Sequence, residues 1–192
     1  VLNTATALDV VETSTTRLIR LYEGEIFIRT GQGAKGVAAA KALQVHTEQG
    51  TVVPLGTVFT VRKQGTSTQV TVLEDEVELI PQLAGGKTQR LVAGEQAQMS
   101  SRSVEVATAT AQADSWTRGL LVAVDWPLSR LVAELSRYRT GVLRCDPAIA
   151  GLRVSGAFPI DDTDRALQAI ANALPVSVDR LTQYWVTLKS SE

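Results

Sequence analysis

Along residues 1–112 the apolar positions recur in short runs with a period of two. Residues 17–29 read RLIRLYEGEIFIR, which predicts two strands about Glu23-Gly24. Further strands are predicted over 43–47, 58–62, 68–73, 77–80, 91–92 and 104–107, separated by Gln64-Gly65 and by the acidic turn Glu74-Asp75-Glu76. β-Branched residues with this alternation and frequent turn chemistry predict an all-β unit. Residues 31–42 (GQGAKGVAAAKA) read as a low-complexity, mobile loop.

Near residue 113 the period changes. Residues 120–124 form a strand; Asp125 is the expected N-cap and Pro127 lies in the first turn. Leu128, Leu131, Val132, Leu135 and Tyr138 follow at helical spacing. Gly141 ends that helix, 142–145 is a strand, Asp146-Pro147 turns the chain, and 152–158 is the next strand. Asp162 or Thr163 caps a second helix, whose buried face is Ala166, Leu167, Ile170, Ala171 and Leu174 and which Pro175 stops. Strands over 176–181 and 184–188 close the chain. The pattern predicts an all-β N-terminal domain, 1–112, followed by a small α+β C-terminal domain, 113–192, in which one β-α-β unit is used twice.

Composition narrows the function. The 192 residues are 44% hydrophobic and 20% charged with a net charge of −1. Residues 1–112 hold ten Lys/Arg and eleven Asp/Glu, and 113–192 hold nine of each. Neither half has the basic field that nucleic acid requires, so no nucleic-acid partner is expected. No run approaches the roughly 20 apolar residues of a membrane span. The start at Val1 has no basic leader and reads as a cut through a larger protein. A single cysteine excludes an internal disulfide and a Cys-based zinc site.

The chemistry-bearing residues give no catalytic constellation. His46 is the only histidine and falls in a strand. Asp161-Asp162-Thr163-Asp164 could hold a hard cation; a capped helix N-terminus is the preferred reading. Cys145 beside Arg144 is either an activated thiol or, preferably, a small apolar residue at a strand end. Trp116, Trp126 and Trp185 are open between core and interface. No enzyme activity, metal or cofactor is expected, and binding is the default function.

Two segments carry a resemblance. Residues 1–112 resemble the FecR periplasmic β domain through Leu2-Asn3-Thr4-Ala5-Thr6, Val10, Leu21-x-x-Gly24-Glu25, and Val45-x-Thr47-x-x-Gly50-x-Val52-x-x-Leu55-Gly56-Thr57-x-Phe59-x-Val61. Val70-x-Val72-Leu73-Glu74 and Leu91-Val92-x-Gly94-Glu95 continue it. Asp75 stands where the family usually has Gly, and Asp tolerates a left-handed turn. Residues 116–188 resemble the short domain shared by secretins and TonB-dependent receptors. The match runs through Asp125-x-Pro127-Leu128, Leu131, Leu135, Tyr138, Gly141, Asp146-Pro147, Ile149-Ala150, Leu152-Arg153-Val154-Ser155-Gly156, Phe158, Ala166-Leu167, Leu174-Pro175-Val176 and Trp185.

Together the resemblances imply the periplasmic part of a single-pass inner-membrane regulator. Its partners would be the N-terminal signalling domain of a TonB-dependent siderophore receptor, periplasmic and intramembrane proteases, and a sigma factor bound by a cytoplasmic part upstream. The alternative is a secretin-like or other envelope interaction module. Some FecR-type regulators resemble self-cleaving proteins, which places a candidate scissile bond at Gly56-Thr57; a tight turn there is the preferred reading. Receptor contact is expected on open strand edges of the short domain, over 152–158 and 184–188. Side-chain alternation puts Arg153, Ser155 and Ala157 on the outer face of the first and Trp185 and Thr187 on that of the second, opposite Tyr184, Val186 and Leu188. Trp185 is the expected aromatic anchor and Arg153 its polar neighbour.

Overall fold

The computed structural model describes residues 1–30, 42–83, 85–110 and 112–191; all but the last residue of the expected mobile loop, 31–42, lies outside them. The chain forms two compact units, Val1–Asp114 and Ser115–Glu192. Among the described residues the first is all-β and the second mixes two helices with two small sheets, the fold class expected from the periodicities.

The first unit contains β1 (Ala7–Glu12), β2 (Thr16–Arg29), β3 (Ala42–Thr47), β4 (Gly50–Pro54), β5 (Val58–Gln64), β6 (Ser67–Glu74), β7 (Glu76–Pro81), β8 (Gln89–Val92), β9 (Glu95–Met99) and β10 (Val104–Thr108). Their order is β10-β9-β6-β5-β2-β3-β4-β7-β8, with β1 also on β2. The two strands expected over 17–29 are a single strand. Gly24, at φ +90°, does not reverse the chain. Residues before it pair with β1 and parallel to β3, and residues after it pair with β5. One bent strand thus serves both halves of the sheet, and the halves meet over one core: Leu21, Ile26, Val45, Val52, Phe59, Val61, Val70, Val72, Val77, Leu79, Leu91, Ala97 and Met99.

Strands β1, β4 and β9 were not expected. Five of the six residues of β1 are exposed and Leu8 alone packs against the core, so ALDVVE shows no alternation. β9 (EQAQM) looks polar in sequence, yet its Ala97 and Met99 are buried.

The motifs at the start of the chain and about Gly24 explain each other in space. Asn3 accepts no space from solvent: its side-chain amide donates to Glu25 Oε2 at 2.8 Å and its backbone N–H to the Glu25 carbonyl at 2.9 Å. Thr6 Oγ1 donates to the carbonyl of Asn3 and accepts from the Glu25 N–H. A Cβ on Gly24 would lie 2.4 Å from Thr6 Oγ1, so only glycine lets the N-terminal segment close against β2.

The second unit begins with a 3-10 turn, Ser115–Arg118. It continues through β11 (Leu120–Pro127), α1 (Leu128–Ser136), β12 (Val142–Cys145), β13 (Arg153–Pro159), α2 (Thr163–Ala173), β14 (Val176–Thr182) and β15 (Trp185–Ser190). β11 pairs antiparallel with β13, and the second sheet runs β12-β15-β14. The strands of one β-α-β unit therefore do not pair with each other. Each helix links a strand of the two-stranded sheet to one of the three-stranded sheet and packs on both. The core draws Leu128, Leu131, Val132 and Leu135 from α1, and Ala166, Leu167 and Ile170 from α2.

The expected cap of α1 is corrected. Asp125 lies in β11 at φ +52°, where the register with β13 shifts, and the N-cap is Pro127 without a side-chain bond. The first N–H groups of α1 instead donate to the carbonyls of Leu152 (2.7 Å) and Ala150 (3.1 Å). A neighbouring loop supplies the acceptors that a capping side chain would otherwise give. Tyr138 lies beyond the helix. α2 begins as read: Asp162 accepts from the Arg165 N–H at 2.9 Å.

Candidate functional site

Gly56-Thr57 joins β4 to β5 where the chain crosses from one half of the sheet to the other. β4 pairs with β7 and β5 with β6, so residues 54–58 run beside the matching corner at Glu74-Asp75-Glu76. Gly56 has φ +84° and Asp75 φ +56°, so the Asp that replaces the family glycine takes the left-handed turn. Thr57 is buried. Its hydroxyl donates to the Glu74 carbonyl, and its N–H donates to Thr30 Oγ1 at 2.6 Å. Thr30 closes the loop by donating from its N–H and hydroxyl to the Thr57 carbonyl, each at 3.0 Å. The Thr57 hydroxyl therefore ties the two corners together.

On β13 the outer positions Arg153, Ser155 and Ala157 are exposed, while Val154 and Phe158 are buried. β13 pairs only with β11 among the described residues, which leaves it an open edge. Arg153 and Ser155 are tied to the β11 bulge: Arg153 Nη1 donates to the Asp125 carbonyl at 2.9 Å, and Ser155 Oγ accepts the Asp125 N–H at 2.9 Å.

On β15 Trp185 is 38% exposed and Thr187 half-buried, with Val186 and Leu188 fully buried. Two expectations are corrected here. β15 is the central strand of its sheet, hydrogen-bonded on both sides, and has no edge to offer. Tyr184, expected on the core face, is 55% exposed because it sits in the turn before the strand begins. Trp185 and Arg153 lie on different sheets. The neighbour of Trp185 is Arg144 of β12, whose guanidinium carbon is 4.7 Å from the ring centroid.

The acidic run at α2 is used internally. Asp162 caps the helix, and Asp164 Oδ1 accepts from Arg139 Nη1 (3.0 Å) and Arg180 Nη1 (2.9 Å). Partial burial pulls the Asp164 carboxyl up, but the two guanidiniums outweigh it and hold the group below the usual carboxylate range. Arg139 is itself nearly buried and reaches on, donating from Nη2 to the Gln183 carbonyl at 3.1 Å. Among the described residues no group of His, Cys, Asp and Glu is arranged to hold a metal ion.

The remaining candidates have local explanations. Burial, with Asp146 beside it, pushes the Cys145 thiol up, which opposes the activated-thiol reading. Burial, with Arg20 next, pulls His46 down. Trp116 and Trp126 are buried; Arg130 stacks on Trp126 at 3.9 Å. Sequence reasoning gave no surface role to Arg144, Leu181 or Tyr184. Leu181, 78% exposed, sits at the register break of β14, which no periodicity reveals.

Residues 1–78 match the family described as FecR protein. That stretch is similar to FecR proteins. The match spans the N-terminal clamp, the Gly56-Thr57 corner and the start of β7. Two crystal structures of a candidate anti-sigma factor from Parabacteroides distasonis ATCC 8503, at 1.65 Å and 2.50 Å resolution, share the fold. They are each 22% identical, with TM-scores of 0.75 and 0.73, over 100% of this chain and 89% of theirs. No curated protein matches the chain. The FecR-like stretch is thus followed by a second unit within a fold shared over the whole of this chain.

Proposed function

We propose that the chain is the periplasmic part of a transmembrane sigma-factor regulator, and that its second unit binds the N-terminal signalling domain of a TonB-dependent outer-membrane siderophore receptor. The observation that carries this reading is a FecR-like stretch joined in one chain to a small β-α-β repeat unit with an outward-facing tryptophan. Fold similarity to a candidate anti-sigma factor over the whole chain supports it. The sigma factor would be held by a cytoplasmic part and released when periplasmic and intramembrane proteases cut the regulator. The role is binding and relay rather than catalysis. No helix among the described residues is long and apolar enough to cross a membrane, so the span this reading requires would lie outside them.

The test is calorimetric titration of purified receptor signalling domains into residues 1–192 and into residues 1–115. Binding should be present in the first and absent in the second; equal affinity for both would remove the contact from the second unit. Trp185→Ala should weaken binding by at least ~2 kcal/mol while the melting temperature stays put, as expected of an interface anchor rather than a core residue.

A further inference from the structure

The hairpin between β14 and β15 presents three large side chains to solvent in five residues: Leu181, Tyr184 and Trp185. Such a run on a turn would ordinarily be mobile. Here both carbonyls at its tip are held. Gln183 O accepts from the nearly buried Arg139, and Tyr184 O accepts from the Val142 N–H at 2.7 Å. The strand before the tip is held as well, because Arg180 binds the same Asp164 oxygen as Arg139. Gly141 has φ +101°, and a Cβ there would meet Tyr184 O at 2.2 Å, so the tip seats directly on backbone. An apolar knuckle fixed before binding loses little freedom on docking.

Charge defines what it fits. Arg144 stacks on Trp185, and no carboxylate lies within ion-pair distance of it among the described residues. Asp179, which pairs with Thr187 as Arg144 does, is taken by Lys189. A guanidinium held over an aromatic ring still offers its planar fork of N–H donors to a carboxylate.

Resting on the functional reading above, we propose that Leu181, Tyr184 and Trp185, with Arg144 beside them, form the docking knuckle for the receptor's signalling domain. The matching face of that domain carries a carboxylate next to an apolar recess. Asp164 and Arg139 are positioning residues: they touch no partner but hold the tip.

The experiment uses residues 1–192 and a panel of purified N-terminal signalling domains from the TonB-dependent receptors of the source organism. Leu181→Ser and Tyr184→Ser should each weaken binding of the cognate domain by about tenfold or more, and Arg144→Glu by about thirtyfold. Wild-type affinity should fall as sodium chloride is raised, and Arg144→Gln should flatten that dependence. Asp164→Asn should weaken binding while melts and circular dichroism still show a folded chain. Ala157→Glu, on the outer face of the other sheet, should bind as wild type does. If wild type binds a domain and the knuckle variants bind equally well, or if Ala157→Glu alone abolishes binding, the knuckle is wrong and the functional reading survives. A salt-independent wild-type affinity overturns the carboxylate. Failure of wild type to bind any domain in the panel overturns the functional reading and the knuckle with it.

Discussion

The two units bury polar groups for different ends. In the first, buried and half-buried polar side chains tie its own segments together: Asn3, Thr6 and Glu25 close the N-terminus on β2, and Thr57 ties two corners. Thr68 Oγ1 likewise lies 2.9 Å from Thr47 Oγ1 and 3.1 Å from Gln49 Oε1. Its hydrophobic core is aliphatic apart from Phe59 and Met99 and is contributed by both halves of one bent sheet. In the second unit two helices fill the interior, and the nearly buried Arg139 with its partner Asp164 serves the surface by fixing an exposed hairpin. The first unit spends its polar residues on holding its own shape, and the second on presenting side chains outward.

The largest effect should come from separating the two interiors. Phe59→Ala removes a fully buried ring and should destabilise the first unit by about 3–5 kcal/mol. Leu135→Ala, equally buried in α1, should cost the second unit about 2–5 kcal/mol. Followed by hydrogen exchange, each loss should stay in its own unit. Loss of protection across both units from either change would break the comparison.

Smaller changes sharpen the role of the polar residues. Gly24→Ala forces a side chain into a left-handed conformation and against Thr6, and should cost about 3 kcal/mol in a denaturant melt of the first unit. Thr57→Ala leaves the Glu74 carbonyl without its donor, at about 1–3 kcal/mol. Wild type should run as one intact species by mass spectrometry, as a tight turn requires. Two fragments that meet at Gly56-Thr57 and vanish in Thr57→Ala would instead give this corner a cleavage role.

The smallest expected effect is a difference in pH response. His46 is the only histidine and lies in the first unit. Its folded pKa is lowered, so the unfolded chain binds the proton more readily. The first unit should therefore lose a little stability as pH falls below about 6.5, the unfolded value, and His46→Gln should remove that slope. Asp164 acts in the second unit. Its folded pKa is lowered as well, so its contribution is present above the usual carboxylate range and fades only in stronger acid. Melts of each unit between pH 7.5 and 3 would resolve the two windows. A near-neutral slope in the second unit would contradict the assignment.

The sequence by itself determined the fold class, the regions of both helices with most of their buried faces, and the outward positions Arg153, Ser155, Ala157 and Trp185. Those follow from periodicity, because side chains in a strand or helix must alternate with the backbone that carries them. It also contained the Leu2-to-Thr6 and Gly24-Glu25 motifs, but not their meeting, which depends on hydrogen bonds spanning some twenty residues of chain. Only the tertiary structure made β2 one strand, since whether a glycine reverses or bends a chain depends on what pairs with the residues on either side. Only it moved Asp125 from a cap to a bulge, because the acceptors for α1 come from a loop more than twenty residues onward. It placed β15 at the centre of its sheet, since strand order is a property of long-range pairing and not of any local pattern. And it brought Arg144 over Trp185 and Arg139 to Gln183, two contacts across about forty residues that join an exposed hairpin to the strands and helix behind it.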